Sequence, residues 1–215
     1  MIMKNKLIFS FALILFTVQG MFAQNNIQAE KAISDVLSQA KTSAIRTNFK
    51  LTINEKKGSQ SMSSTGVFTL KGNKFVLEMD AMKAWYDGKT QWAYVSQSNE
   101  VSVTEPTVKE LSETNPMAIL SGFKSKCMIR FSTKVKSNQN FCIEMIPKTK
   151  NNEIIKIDVQ INKVSGNLVS IKLANKKGGT TLLTLSNFQK GIHVADNVFV
   201  FNASRFKGVA INDLR

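Results

Sequence analysis

Apolar and polar residues alternate along most of this chain, and the alternation is broken by turn signatures. Phe49, Leu51 and Ile53 alternate with Lys50, Thr52 and Asn54, so a first strand is predicted to begin near Thr47. The punctuation is densest between Thr65 and Thr104. There Gly72-Asn73 separates Phe68/Leu70 from Phe75/Leu77, Asp87-Gly88 follows Trp85, and Ser96 to Asn99 separates Trp92/Tyr94 from Val101/Val103. A tight turn at Gly72-Asn73 sets Leu70 opposite Phe75 and Phe68 opposite Leu77, and the loop at Ser96 to Asn99 sets Trp92 opposite Val103 and Tyr94 opposite Val101. All of these large side chains are then expected on one face, as a sheet with a single greasy side requires.

The C-terminal half continues the pattern. Matching apolar faces pairs Phe131 with Met145 and Val135 with Phe141. Across the loop from Lys163 to Asn167, Ile157, Val159 and Ile161 are expected opposite Leu173, Ile171 and Val169. Thr180 to Gln189 and Val198 to Asn202 supply two further strands, the last with Phe199 and Phe201 on one face. About eleven or twelve strands joined as sequential hairpins, without βαβ spacing, predict a mainly β fold built on one large antiparallel up-and-down sheet. Twist makes a sheet of that size curl or close.

Helical spacing interrupts this pattern. From Asn25 to Ala44 the residues Ala29, Ile33, Val36, Leu37, Ala40 and Ala44 share a face, opposite Glu30, Lys31, Asp35 and Lys41. Thr107 and Glu110 have capping-box spacing. In the next segment Asn115 suits an N-cap, Pro116 the first helical position and Gly122 the exit, with Met117 and Leu120 on one face.

The N-terminus changes the setting. Lys4 and Lys6, the uncharged apolar run from Leu7 to Val18, and Gly20-Met21-Phe22-Ala23 read as a secretory signal peptide over residues 1–23, cleaved after Ala23. The run is too short for a membrane anchor, and no cysteine near the junction offers a lipid attachment point. A single soluble exported domain over residues 24–215 is expected, large enough for a core and a pocket. The net charge of +14 suggests an anionic partner, but export disfavours nucleic acid, and the lysines are scattered as on a solvated basic surface. Cys127 and Cys142 would favour a disulfide outside the cytoplasm. The pairing above places Cys142 opposite Lys134 and so roughly 23 Å from Cys127 at the strand rise, against a limit of about 7 Å. Two unpaired cysteines are expected.

Candidate chemistry is sparse. His193 stands alone, without metal-ligand spacing around it, and there is no nucleophile elbow or phosphate loop. Glu100, Glu105, Glu110 and Glu113 fall on turns and helix starts, where surface carboxylates are common. No catalysis, cofactor or metal is expected. A curled sheet with a greasy concave face is either filled by its own side chains or holds an apolar ligand under a lid. The nine methionines would provide adaptable packing for the second case.

Several short marks then occur in one order along the chain: the segment FTLKGNKFVLEM, Asp87-Gly88-Lys89 with Trp92 and Tyr94, Asn115-Pro116, and Phe199-x-Phe201 followed by Gly208-Val209 and Asp213. Together they resemble the outer-membrane lipoprotein carrier family, LolA. The resemblance implies an unclosed antiparallel β-barrel with an N-terminal amphipathic helix and short helices forming a lid over an apolar cavity. It implies a periplasmic carrier that takes acylated lipoproteins from an inner-membrane ABC-type releasing complex and delivers them, as a monomer, to the outer membrane or to a receptor there. By position in the motif, Phe68, Leu70, Phe75, Leu77, Trp92, Tyr94, Val101 and Val103 would line the cavity, with Met117 and Leu120 on the lid. The family often places a lid-tying arginine where this chain has Lys71, and lysine lacks arginine's planar fork. A periplasmic lipid-sensing or protein-interaction domain of the same fold, without transport, is the alternative reading.

Overall fold

The structure, a computed structural model, describes residues 26–56, 58, 60–107, 110–111, 115–149 and 152–215. The expected signal peptide, residues 1–23, and Glu113 lie outside the described residues.

The alternating segments form twelve strands of one sheet. The first meander comprises β1 (Ile45–Asn54), β2 (Met62–Lys71), β3 (Lys74–Met79), β4 (Met82–Tyr86), β5 (Gln91–Val95) and β6 (Glu100–Thr104). The second comprises β7 (Cys127–Phe131), β8 (Asn140–Pro147), β9 (Ile154–Asn162), β10 (Leu168–Asn175) and β11 (Thr180–Lys190), and the chain ends in β12 (Ala210–Asp213). The order is β12-β6-β5-β4-β3-β2-β1-β11-β10-β9-β8-β7, so β1 joins the two meanders by pairing with both β2 and β11. The terminal strands β12 and β7 are not paired with each other, which leaves the barrel unclosed. All pairings are antiparallel except that of β12 with β6.

Where turn chemistry was explicit, the expected registers hold. Leu70 faces Phe75 and Phe68 faces Leu77 across a turn in which Gly72 takes φ +63°, a left-handed conformation that glycine adopts without strain. Trp92 faces Val103 and Tyr94 faces Val101. Val159 faces Ile171 and Ile157 faces Leu173, but a bulge between Leu168 and Ser170 sets Leu168 rather than Val169 opposite Ile161.

Other expectations fail for local reasons. β1 begins at Ile45, two residues ahead of the expected start near Thr47. β7 stops at Phe131, with Ile129 opposite Met145 and Phe131 opposite Ile143, a shift of two residues from the expected pairing. Ser132 diverts the chain: its hydroxyl accepts the Val135 N–H at 3.0 Å and donates to the Glu144 carboxylate at 2.9 Å, so Thr133 and Val135 lie outside the strand. Val198 to Asn202 is not a strand either, because Asp196–Phe199 closes a 3-10 turn.

A helix over residues 26–42 buries Ala29, Ile33, Val36 and Ala40 in the main core. A second helix, Pro116–Lys124, starts on the Asn115 cap, whose side chain accepts the Met117 N–H at 2.9 Å. It runs through Gly122 to the cap at Ser125. Ahead of it the Thr107 and Glu110 capping box forms, with the Thr107 N–H donating to the Glu110 carboxylate at 2.7 Å. Beside these helices one β position is left empty for a ring. Gly66 lies opposite Phe49, and a Cβ there would strike both the Glu78 carbonyl and that ring.

Candidate functional site

The alternation gives the curled sheet two faces with separate apolar clusters. On the concave face Phe68, Leu70, Phe75, Leu77, Ala84 and Tyr86 join Ile129, Met145, Ile157, Val159 and Ile171 in one core with Ile33 and Leu120 of the helices. Phe75 stacks between Phe68, at 5.7 Å, and Tyr86, at 5.4 Å. Burying each such side chain contributes about 1.5–3 kcal/mol. The Tyr86 hydroxyl keeps a partner by donating to the Gly88 carbonyl at 2.9 Å, and burial followed by the nearby Asp87 charge raises its pKa.

The ten residues expected around a cavity are therefore divided by the structure. Phe68, Leu70, Phe75 and Leu77 lie on the concave face, Leu120 is fully buried against them, and Met117 packs on the same core. Trp92 and Tyr94 lie on the other face, in a cluster with Val76, Trp85 and Phe199, and Val101 and Val103 share that face by direct pairing with them. The cause is β4. A hairpin at Asp80-Ala81 pairs Leu77 with Ala84 and Val76 with Trp85, and the next hairpin pairs Ala84 with Ala93 and Trp85 with Trp92. The concave row continues through small residues, Ala84, Ala93 and Ser102, while both tryptophans point outward.

This outer cluster has its own cover, which residue spacing did not reveal. The segment after β11 crosses the convex face, where Phe206 meets Tyr94 at 4.6 Å and Trp85 at 5.7 Å, and Phe201 meets Trp85 at 5.3 Å. Lys71 belongs here rather than on the lid. Its ammonium donates to the Val194 carbonyl at 2.9 Å and to Asp196 at 2.8 Å, while Lys74 reaches the other oxygen of Asp196 at 2.9 Å. Hydrogen bonds from Lys71 and Lys74 hold the Asp196 pKa down at about 2. A cleft of about 350 Å³ opens beside this staple, lined by Lys41, Lys71, Lys74, His193 and Asp196 among others. His193 thus lines this cleft with the end of the helix over residues 26–42, outside the main apolar core.

Glu144 sits in a polar network of its own. Burial alone would raise the Glu144 carboxyl, but hydrogen bonds from Ser132 and Arg130 and the charge of Lys156 hold it below the usual carboxylate range. Cys127 and Cys142 are both free and buried. Cys127 faces Pro147, and Cys142 sits between the concave residues Phe141 and Ile143, so it points to the other side of the sheet. Burial raises both thiol pKa values. Among the described residues no group of three or more His, Cys, Asp or Glu could hold a metal ion. Among them, too, no helix is long and apolar enough to cross a membrane.

The sequence pattern of the family described as "Outer membrane lipoprotein carrier protein LolA" matches residues 19–177. The chain belongs to this LolA family. A curated LolA-family relative, an outer-membrane lipoprotein carrier protein of Cupriavidus pinatubonensis (strain JMP 134 / LMG 1197), is 30% identical over 121 residues, or 55% of each chain. The match thus spans about half the length of that relative. An uncharacterized conserved protein from Thermus thermophilus shares the fold, with a TM-score of 0.56 at 10% identity over 86% of this chain and 99% of that one. A LolA superfamily protein from Nitrosomonas europaea aligns at 9% identity with a TM-score of 0.40, over 79% of this chain and 97% of that one. The unclosed twelve-stranded sheet with its helical cover is the LolA-like architecture that the ordered sequence marks implied.

Proposed function

We infer that this LolA-family protein is an exported carrier of acylated lipoproteins, whose mature domain, residues 24–215, shields their acyl chains in the periplasm between the two membranes of the envelope. The observation that carries the reading is the concave face itself: a continuous apolar wall of Phe68, Leu70, Phe75 and Leu77, facing Ile157, Val159 and Ile171, under two amphipathic helices. At about 0.8 kcal/mol per methylene, exposing an acyl chain of about fifteen methylenes to water costs on the order of 12 kcal/mol. An unaided crossing is therefore too slow to be useful, and a carrier must offer comparable burial in an interior that can also let go.

The interior is occupied here by the chain's own residues, Leu120 and Ile33 among them. Acyl chains take the place of the Pro116–Lys124 helix, whose amphipathic face carries Met117 and Leu120. That helix is the movable cover: Met117 and Leu120 meet the core by apolar contact, which an acyl chain can replace. The helix over residues 26–42, which buries Ala29, Ile33, Val36 and Ala40 in the core, is the wall that stays in place, with Lys190 bridging its Gln39 to the Ser165 carbonyl. An inner-membrane ABC-type releasing complex loads the cargo, and the outer membrane, or a receptor on it, receives it. No step of this cycle calls for catalysis by the carrier.

The test is native mass spectrometry of the mature protein after incubation with inner-membrane vesicles that hold a lipoprotein and the releasing complex. The carrier reading expects one acylated lipoprotein bound per protein and its transfer to outer-membrane vesicles. Binding of acylated peptide without release or transfer would favour a sensing domain instead. No bound acyl species at all would contradict both.

A further inference from the structure

We propose that the exposed edge of β7 is a docking strand for the extended peptide that follows the acylated end of the cargo, so that the carrier holds its lipoprotein by main-chain pairing as well as by the acyl chain. The proposal rests on the carrier reading.

The two open edges of the sheet differ. β12 is short, exposed at every residue, and ends in the Asp213–Arg215 ion pair at 2.6 Å, which are features that discourage further pairing. β7 carries Cys127, Ile129 and Phe131 toward the main core and has one charged residue, Arg130. Its hydrogen bonds to β8 fix which peptide groups are free. The Lys148 N–H donates to the Lys126 carbonyl at 2.9 Å, and the Ser132 N–H donates to the Cys142 carbonyl at 2.7 Å. Antiparallel ladders bond every second residue, so the groups of Lys126, Met128, Arg130 and Ser132 face β8. Those of Cys127, Ile129 and Phe131 point to the edge, where no strand is paired among the described residues. They offer a run of donors and acceptors matched to an extended peptide.

Position and charge identify the occupant. The Pro116–Lys124 helix packs on β7 and β8 and leads directly into β7. A cargo whose acyl chain takes the place of that helix therefore has the peptide that follows it beside this edge. Beside it Lys126 projects outward, with Lys148 just past the end of the neighbouring strand, while Arg130 is paired with Glu144. Glu144, the carboxylate on that strand, is buried and already engaged by Arg130, Ser132 and Lys156. A peptide strand added to β7 would thus place one residue beside Lys126, where an acidic side chain fits, and others on the opposite face beside Ile129 and Phe131, where small or apolar side chains fit.

The experiment uses the mature protein with three probes: palmitate, a palmitoylated peptide with aspartates at alternate positions, and the same peptide with lysines there. Amide hydrogen exchange at Cys127, Ile129 and Phe131 is expected to slow by at least about tenfold with the aspartate peptide and not with palmitate alone. The K126E variant, altered only in an exposed lysine, is expected to bind the aspartate peptide about fivefold more weakly and the lysine peptide more tightly, with palmitate unchanged. Binding of the palmitoyl peptides without edge protection overturns this proposal and leaves the carrier reading standing. Protection that grows with protein concentration alone overturns it in favour of self-pairing. Failure of palmitate itself to bind removes both readings.

Discussion

The two faces of the sheet are built from the same strands yet are covered in different ways. The concave face is closed by amphipathic helices through apolar contact, with Ile33 and Leu120 fully buried against Phe75 and Leu70. The convex face is closed by the C-terminal segment, which brings Phe199, Phe201 and Phe206 onto Trp85, Trp92 and Tyr94 and is fastened by Lys71 and Lys74 on Asp196. Apolar contact is non-directional and lets one greasy surface replace another. An ion-paired staple on a carbonyl and a carboxylate fixes one arrangement. The first kind of closure suits a face that must exchange its cover for a ligand, and the second suits a face that need only stay shut.

The comparison breaks most visibly at Phe75, which is fully buried. Phe75→Ala is expected to cost about 3–5 kcal/mol in chemical denaturation and to weaken acyl binding measured at a temperature where the variant is still folded. Trp92 is half-buried on the other face. Trp92→Ala is expected to cost about 1–2 kcal/mol and to leave acyl binding unchanged; a loss of binding equal to that of Phe75→Ala would show that the convex cluster contacts the ligand.

The smallest effect is at the staple. The Asp196 pKa of about 2 lies below its ordinary 3.8, so its contribution is complete above 3.8 and is lost as the pH falls toward 2. Amide exchange at Phe199 and Phe201 is expected to rise over that interval before exchange at Phe75 does. Asp196→Asn should reproduce the change at neutral pH, with little effect on global stability because the pair is exposed. Simultaneous opening of both faces would show that the two covers are not independent.

Most of the fold was legible because its turns advertise themselves. Gly72-Asn73, Asn115-Pro116 and the Thr107–Glu110 box each have side-chain or backbone chemistry that dictates local geometry, and each forms as expected. The division of the site was not legible because it hinges on Asp80-Ala81. That dipeptide has no glycine or other strong hairpin signal, and missing it hides β4 and reverses the side assigned to Trp92, Tyr94, Val101 and Val103. The matching of Trp92 to Val103 was right, yet pairing two residues says only that they share a face, not which one. The sequence places Lys71 at the lid, but its partner Asp196 lies far along the chain, just ahead of the expected Val198 to Asn202 strand and with no motif of its own. β12 is four exposed residues in a parallel pair and carries no alternation to find.

The central claim is that acyl chains occupy the concave face. Its most direct test is photocrosslinking of the mature protein with a palmitoyl peptide bearing a diazirine in the acyl chain, followed by peptide mapping. Adducts are expected on Leu70, Leu77, Met117 and Leu120, and none on Trp85, Trp92 or Phe206. Adducts concentrated on the tryptophans and Phe206 would contradict the account.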